Sequence, residues 1–378
     1  MSSQAFVEKL LASADIHING GRPWDIQLHR ADVLNRALAY GNLGLGEAYM
    51  AGDWDCEHLD QMFSKLLRAR IDEQVNPRHL AFYALKNRFL NAQSRRRAWR
   101  VGQQHYDLGN DLYQAMLDER MVYTCGYWTH ASDLNTAQEH KLELTCRKLK
   151  LKPGMRVLDI GCGWGSFMQY AAEHYGVECT GVTISKAQVA LGEQRCAGLP
   201  ITFLLEDYRD LPAQFAERPF DAVVSLGMFE HVGSKNHQAY MQVVHQVLKD
   251  EGLFLLHTIG RNRGDTTPDP WIDKYIFPNG ELPAIRHIGA AAEGRFVIED
   301  LHNFGASYDK TLMAWHDNFA NAWPELSKQP RYDQRFERMW RYYLLSCAGA
   351  FRARDIQLWQ WVMSKQGVEG HYERPSLD

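Results

Sequence analysis

Residues 156–165 read Arg-Val-Leu-Asp-Ile-Gly-Cys-Gly-Trp-Gly. The apolar run Val157, Leu158, Ile160 is too short for a helix and reads as a buried strand that runs into three glycines at alternate positions. Glycine tolerates positive φ and lets a ligand approach the backbone closely. Working outward, a helix follows to about residue 175, then a strand at 177–185, a helix at 186–196 and a strand at 201–207. A strand at 220–232, a helix at 237–249 and a strand at 252–260 continue the alternation. Two further strands are expected at 296–305 and 356–365, with helical stretches at 308–326 and 333–347 between them. This succession predicts an α/β fold, a doubly wound and mostly parallel sheet covered on both faces.

The loop spacing is G-x-G-x-G, whereas dinucleotide folds use G-x-G-x-x-G. Asp159 stands directly before the loop. No acidic residue ends the second strand, where a dinucleotide fold places its ribose ligand. The stretch Leu-Asp-Ile-Gly-Cys-Gly-Trp-Gly resembles the first motif of the class I S-adenosylmethionine-dependent methyltransferases, which carry a seven-stranded doubly wound sheet. In that superfamily a carboxylate after strand three often meets the adenine, and Asp207 fits that place. The second strand departs from the common pattern: Thr183 to Gln188 must replace an acidic side chain with neutral hydrogen bonds.

The chain has 378 residues, which is long for one core, so two domains are expected. Residues 1–88 read as a small helical domain. Leu34, Leu38 and Leu43 lie near helical spacing, a Gly-rich turn is expected over 40–54, and 59–71 reads as an amphipathic helix. Residues 89–104 read as a basic linker and 105–378 as the catalytic domain. Residues 86–100 hold six basic and no acidic residues beside Phe89, Leu90 and Trp99. The bland reading is a solvated linker. The sharper one is a membrane contact through Arg95, Arg96, Arg97 and Arg100, since each clustered cation gains roughly 1 kcal/mol near anionic lipid.

The net charge of -4 argues against nucleic-acid binding by the whole molecule. The seven cysteines form no C-x-x-C pair, which argues against a disulfide framework or a zinc cluster and for a reducing cytosol. Residues 1–9 lack a basic segment followed by an apolar run, so no signal peptide is expected. No run of roughly 18 apolar residues spans a bilayer, so any membrane role lies at its surface.

Aromatic residues are numerous, and several polar ones sit at predicted strand ends, where an open α/β sheet places its site. Glu230 and His231 follow strand four, and His257 and Ile259 end strand five. Alone, a Glu-His pair is often a satisfied structural contact. A strand-end histidine often just bonds backbone, and Tyr308 would more often be core or surface.

The motifs at 105–118, 123–128, 157–165, 181–188, 227–233, 256–260, 269–280, 302–315 and 347–360 together resemble the cyclopropane-fatty-acyl-phospholipid synthases. The stretch Asn42–Trp54 resembles the extra N-terminal domain of the bacterial phospholipid-acting members. The resemblance covers nearly the whole chain. It implies transfer of a methylene group from S-adenosylmethionine to the cis double bond of a phospholipid acyl chain. It also implies a bound bicarbonate ion as base, with no metal, held by Cys125, Glu230, His257, Ile259 and Tyr308. Cys125 and Ile259 would give chiefly backbone N–H groups, Glu230 and His257 would position the ion, and Tyr308 would donate a hydrogen bond.

For S-adenosylmethionine the family pattern maps to Tyr123 and Thr124, and to Val157, Leu158, Asp159, Ile160, Gly161, Cys162, Gly163, Trp164 and Gly165. It continues through Thr183, Ile184, Ser185 and Gln188, and through Asp207 and Tyr208, with Tyr106 closing over the pocket. The implied setting is the inner face of the cytoplasmic membrane, with the bilayer surface as partner, and a homodimer is expected because two attachment points multiply weak contacts. Residues 269–280 are read as a packed loop or, by preference, part of a lid over the acyl tunnel. The rival readings are a fatty-acyl C-methyltransferase, which shares the cation but not its fate, and a catalytically silent lipid-binding protein on the same fold.

Overall fold

The computed structural model describes residues 3–71, 109–264 and 267–377. Tyr106, the four arginines 95, 96, 97 and 100, and the expected linker at 89–104 lie outside the described residues. The chain forms two compact units: residues 1–91, 267–278 and 308–356 make one, and residues 92–266, 279–307 and 357–378 the other. Two later segments thus join the N-terminal helices in the first unit.

In that unit the helix Val33–Met50 takes in residues 40–50 of the stretch read as a Gly-rich turn, and only 51–53 turn after it. The helix kinks at Gly41, with φ 57° and ψ −138°, and then continues to Met50. Its later glycines serve packing. A Cβ on Gly46 would lie 2.5 Å from Trp271 and 2.9 Å from Tyr342. The amphipathic helix expected at 59–71 appears as Leu59–Arg68 and meets Gly349 of the helix Gln334–Ala353, where a Cβ would lie 2.6 Å from the Asp60 carbonyl. Arg352 ties this contact by bonding Asp309 at 2.9 and 2.8 Å and also Asp60. Residues 269–280 include a helical turn, Pro270–Tyr275, capped by the Asp269 side chain. Its Trp271 is fully buried, 4.6 Å from the Tyr342 ring.

The second unit holds a seven-stranded sheet. Its strands, in chain order, are β1 (Arg156–Ile160), β2 (Glu178–Thr183), β3 (Ile201–Leu205), β4 (Phe220–Leu226), β5 (Leu248–Arg261), β6 (Val297–Asn303) and β7 (Ile356–Ser364). Their order across the sheet is 3-2-1-4-5-7-6. β1 runs parallel to β2 and β4, as do β2 to β3 and β4 to β5, while β6 is antiparallel to β7. The order reverses between β1 and β4, which puts a crevice at their C-terminal ends.

β1 shows why the run reads as strand. Leu158 and Ile160 join one core with Val223, Tyr240, Val244 and Ile288, while Val157 joins the opposite core with Leu142, Phe167, Met168 and Val224. Both faces are buried, so the strand is apolar except for Arg156 at its start and Asp159. β4 stops at Leu226, short of the expected 232, because Gly227 at φ 74° turns the chain and Phe229–His231 forms a short 3-10 turn.

Sequence reading passed over several helices, including Asn110–Met116 and Ile285–Ala292, and the longest of them is Leu134–Lys148. It buries Gln138, Lys141, Thr145 and Lys148, each at zero exposure. Their spacing of three, four and three residues makes a polar stripe along one face of a helix. Such a stripe reads as solvated; here it faces the interior.

Candidate active site

The glycine loop after β1 adopts the conformation its sequence demands. Gly161, Gly163 and Gly165 have φ of 85°, 55° and 85°. A Cβ on Gly161 would lie 2.6 Å from Met228, and one on Gly165 2.6 Å from Phe203. A Cβ on Gly163 would meet nothing within 4 Å, so this glycine faces open space. Asp159 beside the loop is buried, and its Oδ1 has no hydrogen-bond partner among the described residues. Burial pushes its carboxyl up to about 7, opposed by Lys141. An open backbone cradle beside an unpaired buried acceptor fits a ligand carrying hydroxyl or amino donors.

Of the residues assigned to that ligand, Val157, Leu158, Ile160 and Cys162 turn their side chains into the two cores. Trp164 donates its indole N–H to Asn110 at 3.3 Å and packs on Tyr113, which meets Tyr123 in turn. After β2, Thr183 donates to Gln188 Oε1 at 2.7 Å, Ser185 caps the next helix, and Ile184 is half-buried. These bonds at the strand end thus join neutral side chains and backbone. Asp207 is buried and accepts from Arg209 at both oxygens, through the backbone N–H at 3.0 Å and the guanidinium at 3.3 Å. Tyr208 lies under the same guanidinium.

The segment 123–125 connects this loop to the ends of β4 and β5. Lys141 donates to the Thr124 hydroxyl at 2.9 Å and Gln138 to its carbonyl at 2.8 Å. The Thr124 methyl fills the space over Gly227, where a Cβ would lie 2.7 Å from it. The Gly227 N–H in turn donates to the His257 carbonyl at 2.9 Å. Cys125 is fully buried, and its thiol donates to the Gly126 carbonyl at 3.2 Å. Tyr127 meets Phe304 and His302 edge-on at 5.3 and 5.7 Å, and Phe304 also meets His257 at 5.8 Å.

Glu230 and Ile259, both assigned to the ion, meet each other directly. The Ile259 N–H, expected to face an ion, donates to Glu230 Oε1 at 2.6 Å. Glu230 Oε2 has no partner among the described residues, and burial pushes its carboxyl up to about 7. His257 is also buried and its Nε2 has no partner among the described residues. Burial pushes its basicity well below the ordinary imidazole range, so it is neutral. Tyr308 belongs to the other compact unit, where it stacks on Phe351 at 4.5 Å and meets Trp315 edge-on.

Sequence reading missed Gln138 and Lys141, which hold the 123–125 segment, and Lys148 and Gln360, which stand behind His257. The usable signal was the three-four-three polar stripe between leucines. Among the described residues no cluster of His, Cys, Asp and Glu has the makings of a metal site, and no helix is long and apolar enough to cross a membrane.

Strand order, glycine loop and crevice define a class I S-adenosylmethionine-dependent methyltransferase fold. Residues 93–361 match the family model described as mycolic acid cyclopropane synthetase, and the chain belongs to that family. Over 363 residues it is 55% identical to the cyclopropane-fatty-acyl-phospholipid synthase of Escherichia coli strain K12, spanning 96% of this chain and 93% of the relative. The cyclopropane synthase MmaA2 from Mycobacterium tuberculosis superposes with a TM-score of 0.64 at 31% identity, over 71% of this chain and 98% of that one. Mycolic acid cyclopropane synthase CmaA1, solved in complex with SAH and CTAB, gives 0.63 at 33% identity over 71% and 98%.

Proposed function

We propose that this enzyme transfers a methylene group from S-adenosylmethionine to the cis double bond of an unsaturated phospholipid acyl chain, leaving a cyclopropane. The observation that carries the reading is the identity with the Escherichia coli cyclopropane-fatty-acyl-phospholipid synthase across nearly all of both chains. S-adenosylmethionine, when bound, supplies an electrophilic sulfonium methyl group. The residues that would hold it are Asp159, the backbone of 161–165, Thr183 to Gln188, Asp207 and Tyr208, with Tyr123 and Thr124 on the other side. The Gly163 cradle and the unpaired Asp159 oxygen fit that role.

An alkene has no proton to lose before it attacks, so no strong base is needed at the first step. The acyl chain then carries a carbocation, and a proton must leave the new methyl before the ring closes. Aromatic faces attract a cation without trapping it covalently, and Phe304 supplies such a ring beside His257, with Tyr127 packed against Phe304. A bicarbonate ion is the proton acceptor in this reading, held by Cys125, Glu230, His257 and Tyr308, while Ile259 acts through the Glu230 carboxyl that its N–H holds. The unpaired Glu230 Oε2 and His257 Nε2 fit an ion that both donates and accepts hydrogen bonds. A carboxyl held near neutrality by burial also answers the repulsion expected between Glu230 and an anion.

In the same reading the protein works as a homodimer on the inner surface of the cytoplasmic membrane. Residues 1–88 recruit lipid, the basic stretch 89–104 touches headgroups, and 269–280 cover the acyl chain. The test is mass spectrometry of lipids from cells carrying the gene against empty vector. A gain of one CH₂ with rings plus double bonds unchanged supports cyclopropanation. Loss of one unsaturation with a methyl branch means a fatty-acyl C-methyltransferase instead, and vesicle binding with no lipid product means a silent lipid-binding protein.

A further inference from the structure

Behind His257 lies a buried polar chain outside the expected site. Gln360 on β7 places its Nε2 3.3 Å from His257 Nδ1 and 3.2 Å from the Thr145 hydroxyl. Two separate constraints fix which way this amide faces. The Thr145 hydroxyl spends its hydrogen on the Lys141 carbonyl at 2.8 Å, so toward Gln360 it only accepts. On the amide's other side, Lys148 Nζ donates to Gln360 Oε1 at 2.9 Å. With Lys148 protonated, as its Asp300 partner favours, turning the amide over would set NH₂ against ammonium and oxygen against the Thr145 oxygen, losing both bonds. Lys148 is held in turn by His302 Nδ1 at 3.1 Å and by Asp300 at 3.7 Å. Lys148, Gln360 and Thr145 are all fully buried or nearly so, so water does not replace these partners.

We propose that Lys148, Thr145 and Gln360 are positioning residues that lock His257 as its Nε2–H tautomer. An amide NH₂ only donates, so His257 Nδ1 must accept and carries no proton. The single proton of the neutral ring then sits on Nε2, the buried atom that has no partner among the described residues. His257 therefore meets an anion as a hydrogen-bond donor and does not take up the proton lost in ring closure. This rests on the proposed function only in placing His257 beside the reacting centre.

The experiment is ¹⁵N NMR of the full chain labelled at histidine, with His257→Gln used solely to assign the resonances, and no lipid present. Wild type is expected to show an unprotonated Nδ1 and a protonated Nε2 at residue 257. A protonated Nδ1 overturns the proposal, and this reading requires no positional variant to fold. Gln360→Met, which keeps the volume and removes the donor, should give mixed tautomers and a kcat about tenfold lower, as for other outer partners of a functional histidine, with SAH affinity unchanged. An unmixed Nε2–H signal and unchanged kcat in Gln360→Met also overturn it. If wild type makes no cyclopropane lipid, the reaction assignment fails while the tautomer result stands.

Discussion

The Ile259 backbone N–H donates to Glu230 Oε1 at 2.6 Å and leaves Glu230 Oε2 as a buried acceptor without a partner among the described residues. One oxygen is structural, and the other is available to chemistry. Glu230→Gln keeps the structural bond, since the amide oxygen still accepts from Ile259. It removes the charge and the proton equilibrium at the other atom. Turnover on vesicles should fall about 10²-fold or more, in the range of acid–base partners, with SAH affinity by calorimetry unchanged. A large loss of affinity would mean that Glu230 belongs to cofactor binding.

The same carboxyl makes a prediction for stability. Burial raises its folded-state pKa from 4.5 to about 7. A raised carboxyl favours the fold fully below the unfolded pKa, and that stability is lost as pH rises through the folded value. Glu230→Gln does not titrate. Its stability relative to wild type should therefore rise between about pH 4.5 and 7.5, by on the order of 3 kcal/mol given 1.36 kcal/mol per unit. Thermal unfolding of both ligand-free proteins at several pH values checks this. A Tm difference that stays flat across that range would contradict the raised pKa.

Cys125→Ser tests the role of the thiol. The thiol is fully buried and donates to the adjacent Gly126 carbonyl, a bond that serine can remake. The proposed chemistry has no covalent enzyme intermediate. At least about a tenth of wild-type turnover should survive, since serine keeps a donor at a cost near that of one neutral hydrogen bond, roughly 1 kcal/mol. Loss to background would restore a nucleophilic thiolate.

The glycine loop separates ligand effects from folding effects. Gly163→Ala meets no protein atom, so beyond the left-handed backbone cost of roughly 1–2 kcal/mol its damage should fall on SAH affinity. Gly165→Ala drives a methyl into the Phe203 ring and Cys196 as well. Its damage should fall on Tm. Calorimetry and thermal unfolding of the two variants read these separately. Equal loss of affinity with equal loss of Tm would mean that the loop is only a structural turn.

The strands and crevice were legible because β1, β4 and the later half of β5 carry short, mostly apolar buried runs that end at Gly161, Gly227 and Gly260. The Gly40s were misread because Gly44 and Gly46 are chosen for close packing inside a helix, where sequence alone sees turn formers. Gly44 lies under the Arg36 carbonyl and Gly46 against Trp271. The helix Leu134–Lys148 escaped because its inward stripe is polar, and periodicity arguments assume that the buried stripe is apolar. Lys141 and Lys148 are fully buried, with burial lowering them to about 8 and about 7. That assumption fails where polar groups are buried for orientation, which is where the residues behind Thr124 and His257 sit. Ile259 was expected to offer its N–H to an ion and offers it to Glu230, because a backbone direction is not encoded by any side-chain pattern.

The stretch 86–100 yields the last prediction from its charge alone. Its six cations and no anions give a local attraction that the net charge of -4 conceals. Replacing Arg95, Arg96, Arg97 and Arg100 with Gln removes four charges, each worth roughly 1 kcal/mol near an anionic surface. Binding to anionic vesicles at low salt should weaken by a factor on the order of 10² or more, less than full additivity because neighbouring cations share lipids. The difference should shrink as salt shortens the Debye length toward about 3 Å at 1 M. Binding to neutral vesicles should differ little between the two proteins. Equal binding of both to anionic vesicles at low salt would mean that these arginines belong to a solvated connection and that lipid is engaged elsewhere.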